Sequence, residues 1–365
     1  MVLRENEADD GQTSPLGTTF PKSQITRIQD LLLAWFRRSR RDLPWRRTSD
    51  PYRVWVSEIM LQQTRVTAVI PFYERFLARC PDVEALAAAS ESDLLSLWAG
   101  LGYYYRAHNM QRAARQIVEE GAFPPTFAGI RALPGVGDYT AAAISSISFG
   151  LPHAVVDGNV LRVLSRLLND TSDIATSRGK REFTRAADEL LNRAHPGDHN
   201  QALMELGATV CLPRKPQCLV CPLSELCRAR AAGTVDQLPV KTKAKSPVSE
   251  ERTLFWITRG DDLLIWQRAP ESKLMPGFWE LPELSELGQL EPLIEFGTFG
   301  HSITFHRYLF RVVSTAVPAS LGPARWVPRT NLESLPLSTI ARKAMRLVAR
   351  KLEPSRAPKR RAASA

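Results

Sequence analysis

The chain has 365 residues, enough for two domains with separate cores. Its hydrophobic content of 44% is ordinary for a globular protein, and no apolar run approaches the ~18 residues that a membrane-spanning helix needs. The formal charge of +10 points towards a polyanionic partner, of which nucleic acid is the commonest class.

Residues 1–22 mix Arg4, Glu5, Glu7, Asp9 and Asp10 with Gly and Thr. This is the composition of a disordered leader, not of a secretory signal, and a reducing location in the cytoplasm or nucleoid is the expectation. From 23 to 230 the pattern is helical, beginning with Ile25, Ile28, Leu31, Leu32 and Trp35 on one face. Helix breaks are predicted at Pro44, Pro51, Pro71, Pro81, Pro124, Pro125, Pro134, Pro152 and Pro196, which gives a bundle of short helices. Residues 231–250 lose apolar periodicity and gain Lys, Pro and Ser, as an interdomain linker does. Residues 251–352 then read as an α+β domain, with strands at 253–258, 263–268 and 304–313 and an amphipathic helix near 337–352. The last stretch, 353–365, contains Pro358-Lys-Arg-Arg361 and is expected to be a flexible basic tail.

Four of the five cysteines, Cys211, Cys218, Cys221 and Cys227, fall in the spacing C-x6-C-x2-C-x5-C. Thiolates this dense suit a soft metal centre, either tetrahedral zinc or a [4Fe-4S] cluster. Only one C-x2-C knuckle is present, where a zinc ribbon usually shows two, so the spacing favours iron-sulfur. Pro213, Pro216 and Pro222 suit a loop that wraps such a centre.

Leu133-Pro-Gly-Val-Gly137 lies between two helical segments, with Asp138 placed to cap the second. Gly135 and Gly137 would let backbone N–H groups meet a phosphate beside a helix N-terminus, although a plain tight connection has the same sequence. Asp157, in Val155-Val-Asp-Gly-Asn-Val160, is in the simplest view a helix N-cap. Glu58 sits on a stripe with Val54, Trp55, Leu61 and Gln62. If buried there, its carboxyl is raised towards neutrality and can donate a proton; at the stripe's edge it would reach solvent instead. Two carboxyl groups in different environments are the apparatus for cleaving a glycosidic bond.

The hairpin with its following Asp and the cysteine spacing resemble the endonuclease III superfamily of DNA glycosylases. Trp55-Val-Ser-Glu-Ile-Met-Leu-Gln-Gln-Thr64, Arg41-Asp-Leu-Pro-Trp-Arg46, Trp98-Ala-Gly-Leu-Gly-Tyr-Tyr104 and Asn200-Gln-Ala-Leu-Met-Glu-Leu-Gly207 resemble its adenine glycosylase branch. The resemblance implies an all-α helix-hairpin-helix glycosylase domain with a [4Fe-4S] cluster on the loop 211–227. It implies that Glu58 protonates adenine and that Asp157 stabilises the sugar cation, with Tyr139 and Asn159 orienting both. Superfamily members that also cut the strand carry a lysine nucleophile where this chain has Tyr139, so a monofunctional enzyme is implied. Gln63 and Tyr103 match wedge positions, Thr64 and Leu101 match contacts to the lesion, and Arg41, Trp45, Arg46, Leu61 and Gln201 would line the adenine pocket. Arg214, Lys215 and Arg228 would face the phosphate backbone. The implied substrate is double-stranded DNA with adenine opposite 8-oxoguanine or guanine, bound by a monomer. Leu263-Leu-Ile-Trp-Gln-Arg268 and Pro276-Gly-Phe-Trp-Glu-Leu-Pro282 resemble the branch's Nudix-like domain. No carboxylate cluster for magnesium follows Gly277, so binding without hydrolysis is expected. The family's lesion-reading loop aligns with Ile303, Thr304 and Phe305, where Thr304 keeps a hydroxyl and His301 and His306 lie nearby. A bifunctional glycosylase/lyase, a non-catalytic lesion-binding protein and a zinc-stapled DNA-binding module are the alternatives.

Overall fold

A computed structural model describes residues 20–242, 248–269, 272, 276–287, 291–303 and 306–352. The chain forms two compact units, each from two separated segments: Met1–Ile59 with Ala122–Lys243, and Met60–Gly121 with Ala244–Ala365.

In the first unit the periodicity near the start becomes a helix, Lys22–Ser39, that buries Ile28, Leu32, Leu33 and Phe36 along one face. Their apolar cluster takes in the helix Gly158–Leu168, in which every residue from Val160 to Leu168 is buried. Phe183, Ala186 and Leu190 of helix Ser177–Leu190 and Ala202, Leu203 and Leu206 of helix Pro196–Thr209 complete the same apolar cluster. Leu223, from the cysteine-rich loop, joins it too. Pro51 and Pro196 stand at the first positions of their helices, where a missing N–H costs nothing. The hairpin runs from helix Phe127–Ala132 to helix Asp138–Phe149, and Gly135 takes a left-handed φ of 77° in the turn. Asp138 does not cap the second helix: Gly137 holds that position, and Asp138 lies in the first turn, paired with Arg131 at 2.5 Å. The start of the expected linker is packed, since Leu238 is buried and the Thr242 amide donates to Asp173 at 3.0 Å.

The second unit holds helices Val66–Arg79, Val83–Ala88, Glu91–Trp98 and Tyr105–Glu120, with Asp82 and Ser90 as side-chain caps of the middle pair. Pro71 does not break the first of these. It removes one backbone donor, yet Val69, Tyr73 and Phe76 are buried on one face and hold the helix through it. The strands are β1 (Val248–Trp256), β2 (Thr258–Arg259), β3 (Asp262–Gln267), β4 (Trp279–Glu280), β5 (Ile294–Ile303), β6 (His306–Ser314) and β7 (Ala324–Pro328). β6 runs parallel to β1, with Leu254 beside Val312, and antiparallel to β5. β3 pairs antiparallel with β2, β4 and β7. Helix Thr339–Leu352 packs Ile340, Ala341, Ala344 and Val348 into the core formed by Leu254, Leu263, Phe310 and Val312.

The sequence pattern finds β1, β3, β6 and the last helix but not β5. Gly297 and Gly300 interrupt the alternation of β5, and a bulge at Glu295–Gly297 shifts its register. Thr304 and Phe305 lie outside the described residues, and β6 begins at His306. Among the described residues no helix is long and apolar enough to cross a membrane.

Candidate active site

Glu58 lies near the end of helix Pro51–Leu61 and is 5% exposed, so the apolar stripe does bury it. The Tyr139 hydroxyl, carried by the second residue of the hairpin's second helix, donates to Glu58 Oε2 at 2.8 Å. Burial pushes the Glu58 carboxyl up to about 7; the Tyr139 hydrogen bond and the charge of Arg46 oppose this, while the charge of Asp157 adds to it. Burial and the same two carboxylates push the Tyr139 phenol well above its usual range, so it remains a donor.

Asp157 caps helix Gly158–Leu168, as its local sequence suggests. Its Oδ1 accepts the Val160 amide and its Oδ2 accepts Asn159 Nδ2, each at 2.7 Å. The cap does not exclude a second role, because the same carboxylate acts electrostatically on Glu58 and Tyr139. Asn159 Oδ1 in turn accepts Arg162 Nη2 at 2.9 Å, and Arg162 reaches the carbonyls of Gly207 and Cys211 at 2.8 Å. A Cβ on Gly207 would fall 2.6 Å from that of Asn159, so only glycine lets the two helices approach this closely. Hydrogen bonds thus run without a gap from the Cys211 backbone to Asp157. Two carboxyl groups thus stand in contrasting surroundings, one buried beneath a phenol and one held by an amide and a carboxamide, the kind of pair through which a glycosidic bond can be cleaved.

Arg41 and Arg46 converge on Glu205, whose side chain is fully buried on helix Pro196–Thr209. Glu205 Oε1 accepts the Arg41 amide at 3.0 Å and Nε at 2.8 Å; Oε2 accepts Arg41 Nη2 at 2.7 Å and Arg46 Nη2 at 2.8 Å. Burial acts to raise this carboxyl, but the two guanidiniums outweigh it and hold it down at about 2. Trp45, in the 3-10 turn Pro44–Arg46, is buried, and Gln201 is half-buried one helical turn before Glu205. Glu205 lies inside a motif that the sequence singles out, yet only the fold reveals that it clamps residues more than 150 positions away.

Cys211, Cys218, Cys221 and Cys227 are unpaired thiols that line one small hollow of about 30 Å³ with Arg166, Pro216 and Gln217. Four thiols on one hollow are the soft donor set that an iron-sulfur cluster takes. Burial pushes the Cys221 thiol up to about 12 and raises Cys227 as well. Thiolates there need a cationic centre, which the iron of a bound cluster would supply. The four residues therefore fit the [4Fe-4S] cluster. Arg214 and Lys215 are exposed on the loop, whereas the Arg228 guanidinium stacks over Phe20 at 4.2 Å.

Leu61, Gln63, Thr64, Leu101 and Tyr103 belong to the second unit. Gln63 and Tyr103 have left-handed φ of 59° and 48°, a strained state for residues with side chains. Arg106, which sequence inspection passes over, ties both turns together: it donates to Gln62 O at 2.8 Å, Gly102 O at 3.1 Å and Leu101 O at 3.3 Å. Leu101 is buried, Leu61, Thr64 and Tyr103 are half-buried, and Gln63 is exposed. Thr304 lies outside the described residues.

Replacing Glu205 with Gln leaves two guanidiniums facing a neutral amide and should destabilise the protein by about 3–5 kcal/mol in denaturant titrations. Because the native carboxyl is depressed, its contribution is present above the ordinary value of ~4.3 and is lost as pH falls towards 2. Native stability between pH 5 and about pH 2 should accordingly fall more steeply than that of the Gln variant.

Residues 56–192 match the HhH-GPD superfamily of base excision DNA repair proteins, and residues 211–227 match the iron-sulfur binding domain of endonuclease III. A solved structure of a thermostable thymine-DNA glycosylase superposes with a TM-score of 0.53 at 30% identity, covering 57% of this chain and 98% of that one. The chain is 34% identical to the adenine DNA glycosylase of Homo sapiens over 89% of its length and 74% of the relative's, and 33% identical to that of Mus musculus over 94% and 82%. With two carboxyl groups in contrasting surroundings, four thiols on one hollow and likeness of this extent, the chain belongs to the adenine DNA glycosylase family.

Proposed function

We propose that the chain is a monofunctional glycosylase that removes adenine from double-stranded DNA where it is mispaired with 8-oxoguanine or guanine. The observation that carries this is the buried Glu58, hydrogen-bonded to Tyr139 and under the influence of Asp157. Glu58, neutral up to about pH 7, gives its proton to adenine N7. The C1′–N9 bond then breaks with its electron pair passing to the base, and the Asp157 carboxylate stabilises the sugar cation until water adds at C1′ and its released proton restores the Glu58 carboxyl. Tyr139 offers no amine for a Schiff base, which supports base removal without strand cleavage.

Adenine must leave the stack before this chemistry, and Gln63 and Tyr103 are the proposed wedges, held in left-handed turns by Arg106. Arg41, Trp45, Arg46, Leu61 and Gln201 are proposed to receive the base, with Thr64 and Leu101 facing the opposite lesion. The mixed sheet β1-β6-β5 with helix Thr339–Leu352 against it supports a Nudix-like domain, to which we assign binding without hydrolysis. Thr304 is its proposed lesion contact. Gly135 and Gly137 are assigned to a DNA phosphate at the hairpin. A monomer suffices for this one-site chemistry.

The direct test is incubation with a duplex containing adenine opposite 8-oxoguanine, analysed with and without alkali. Strand breaks that appear only after alkali are the expected product; breakage without alkali would revive the lyase, and no abasic site in either arm would end the proposal. Single-turnover base release should decline about tenfold per pH unit above pH 7, because a carboxyl raised to that point loses its proton there. Glu58→Gln should lower the rate at least ~100-fold at every pH. At Gly137 φ is an ordinary −95° and a Cβ would meet nothing within 4 Å. Gly137→Ala should therefore leave the melting temperature unchanged while weakening duplex affinity about tenfold in a titration at fixed salt.

A further inference from the structure

Arg166 stands in the last turn of helix Gly158–Leu168 and is only 2% exposed. Its Nη1 donates to Cys211 Sγ at 3.4 Å and to Leu212 O at 2.7 Å, Nη2 to Pro213 O at 3.3 Å, and Nε to Val235 O and Leu238 O at 3.0 Å each. Its own carbonyl oxygen lies 3.4 Å from Cys227 Sγ. One residue thereby touches the first and the last of the four cysteines and lines the hollow they share. Among the described residues it forms no ion pair with Asp or Glu. A buried guanidinium without a carboxylate is costly, and Arg162, one turn earlier, is buried beside the same Cys211. Among the described residues, the strongly anionic group that adjoins both arginines is the thiolate cage itself.

We propose that Arg166 is the positioning residue that sets the reduction potential of the cluster and its retention, through the hydrogen bond to the Cys211 sulfur and a buried positive charge at the cage wall. A donor on a ligand sulfur withdraws charge from the iron–thiolate bond, and a nearby cation favours the more negative, reduced member of a one-electron couple. Both effects move the potential in the positive direction. The carbonyls of Leu212, Pro213, Val235 and Leu238 fix the guanidinium fork, so its plane cannot turn away from the sulfur. Backbone inside the cysteine loop and backbone beyond its end are thereby tied together by the same side chain.

The test uses the full-length holoprotein with Arg166→Met and Arg166→Lys, reading iron content, the cluster's midpoint potential by voltammetry, and the rate of iron loss to a chelator. The Met variant should have a more negative potential and lose iron roughly 10- to 100-fold faster. The Lys variant keeps the charge without the fork; its potential should lie between the two, and its iron loss should also be faster. If the Met variant does not fold, the Lys variant decides alone by the same two readings. An unchanged potential would overturn the proposal, even with faster iron loss, because a merely structural residue gives that pattern.

Discussion

Burial of the helix Gly158–Leu168 is the constraint on which the first unit depends. Nine consecutive residues, Val160 to Leu168, are shielded, yet two of them are arginines. An arginine can be enclosed only where its donors are met, and Arg162 and Arg166 meet theirs on backbone carbonyls and side chains of surrounding segments. The apolar residues of the helix hold the bundle through dispersion and desolvation. Its two cations fix the cysteine loop at one end and, through Asn159, the orientation of Asp157 at the other. Packing and chemistry are thus carried by different faces of one element, and loosening either disturbs both.

Three carboxyl groups in this unit illustrate how environment assigns a role. Glu58 receives one phenolic hydrogen bond, too little to offset burial, and is raised to about 7. Glu205 is equally enclosed but receives two guanidiniums and an amide, and is held near 2. Asp157, half-buried at a helix N-terminus, takes an amide and an amide side chain and stands where the helix dipole favours an anion. The contrast between Glu58 and Glu205 comes from the number of cationic donors each one meets. Arg46 links the two, because it binds Glu205 directly and its charge reaches Glu58. The clamp on Glu205 consequently bears on the acidity of Glu58 without touching it.

Much of this is legible in the sequence, for reasons that differ by residue. The four cysteines announce a metal centre because four thiols this closely spaced, with a single C-x2-C knuckle, are the pattern of a soft-metal ligand set. Glu58 is identifiable because a carboxylate on an apolar stripe is a local contradiction, and the fold resolves it by burial. Its partner Tyr139, 81 positions away, has no local signal beyond its place after the hairpin. Asp138 looks like a cap because it directly follows the turn, but the chain enters the helix one residue earlier, at Gly137. Pro71 looks like a break because propensity is local, whereas Tyr73 and Phe76 are held by tertiary packing. Arg106, Arg162 and Arg166 are invisible as functional residues, since charged side chains are usually solvated. The signal that can find the last two is their i, i+4 spacing, beside Asn159 and Ser165, on the one polar stripe of an otherwise apolar helix.

The two kinds of site residue differ in the backbone that bears them. Asp157, Asn159 and Tyr139 sit at helix beginnings, where φ and ψ are relaxed and position is set by packing. Gln63 and Tyr103 sit in left-handed turns that disfavour side chains by about 1–2 kcal/mol each. Such conformations persist only when something else holds the chain. Arg106 does so, because its guanidinium is buried and occupied by the carbonyls of Gln62, Leu101 and Gly102, so relaxing either turn would strip a buried cation of an acceptor. That penalty is comparable to or larger than the strain it opposes. A turn so balanced holds its backbone at one angle, and the proposed entry of Gln63 and Tyr103 into a base stack would draw on that rigidity.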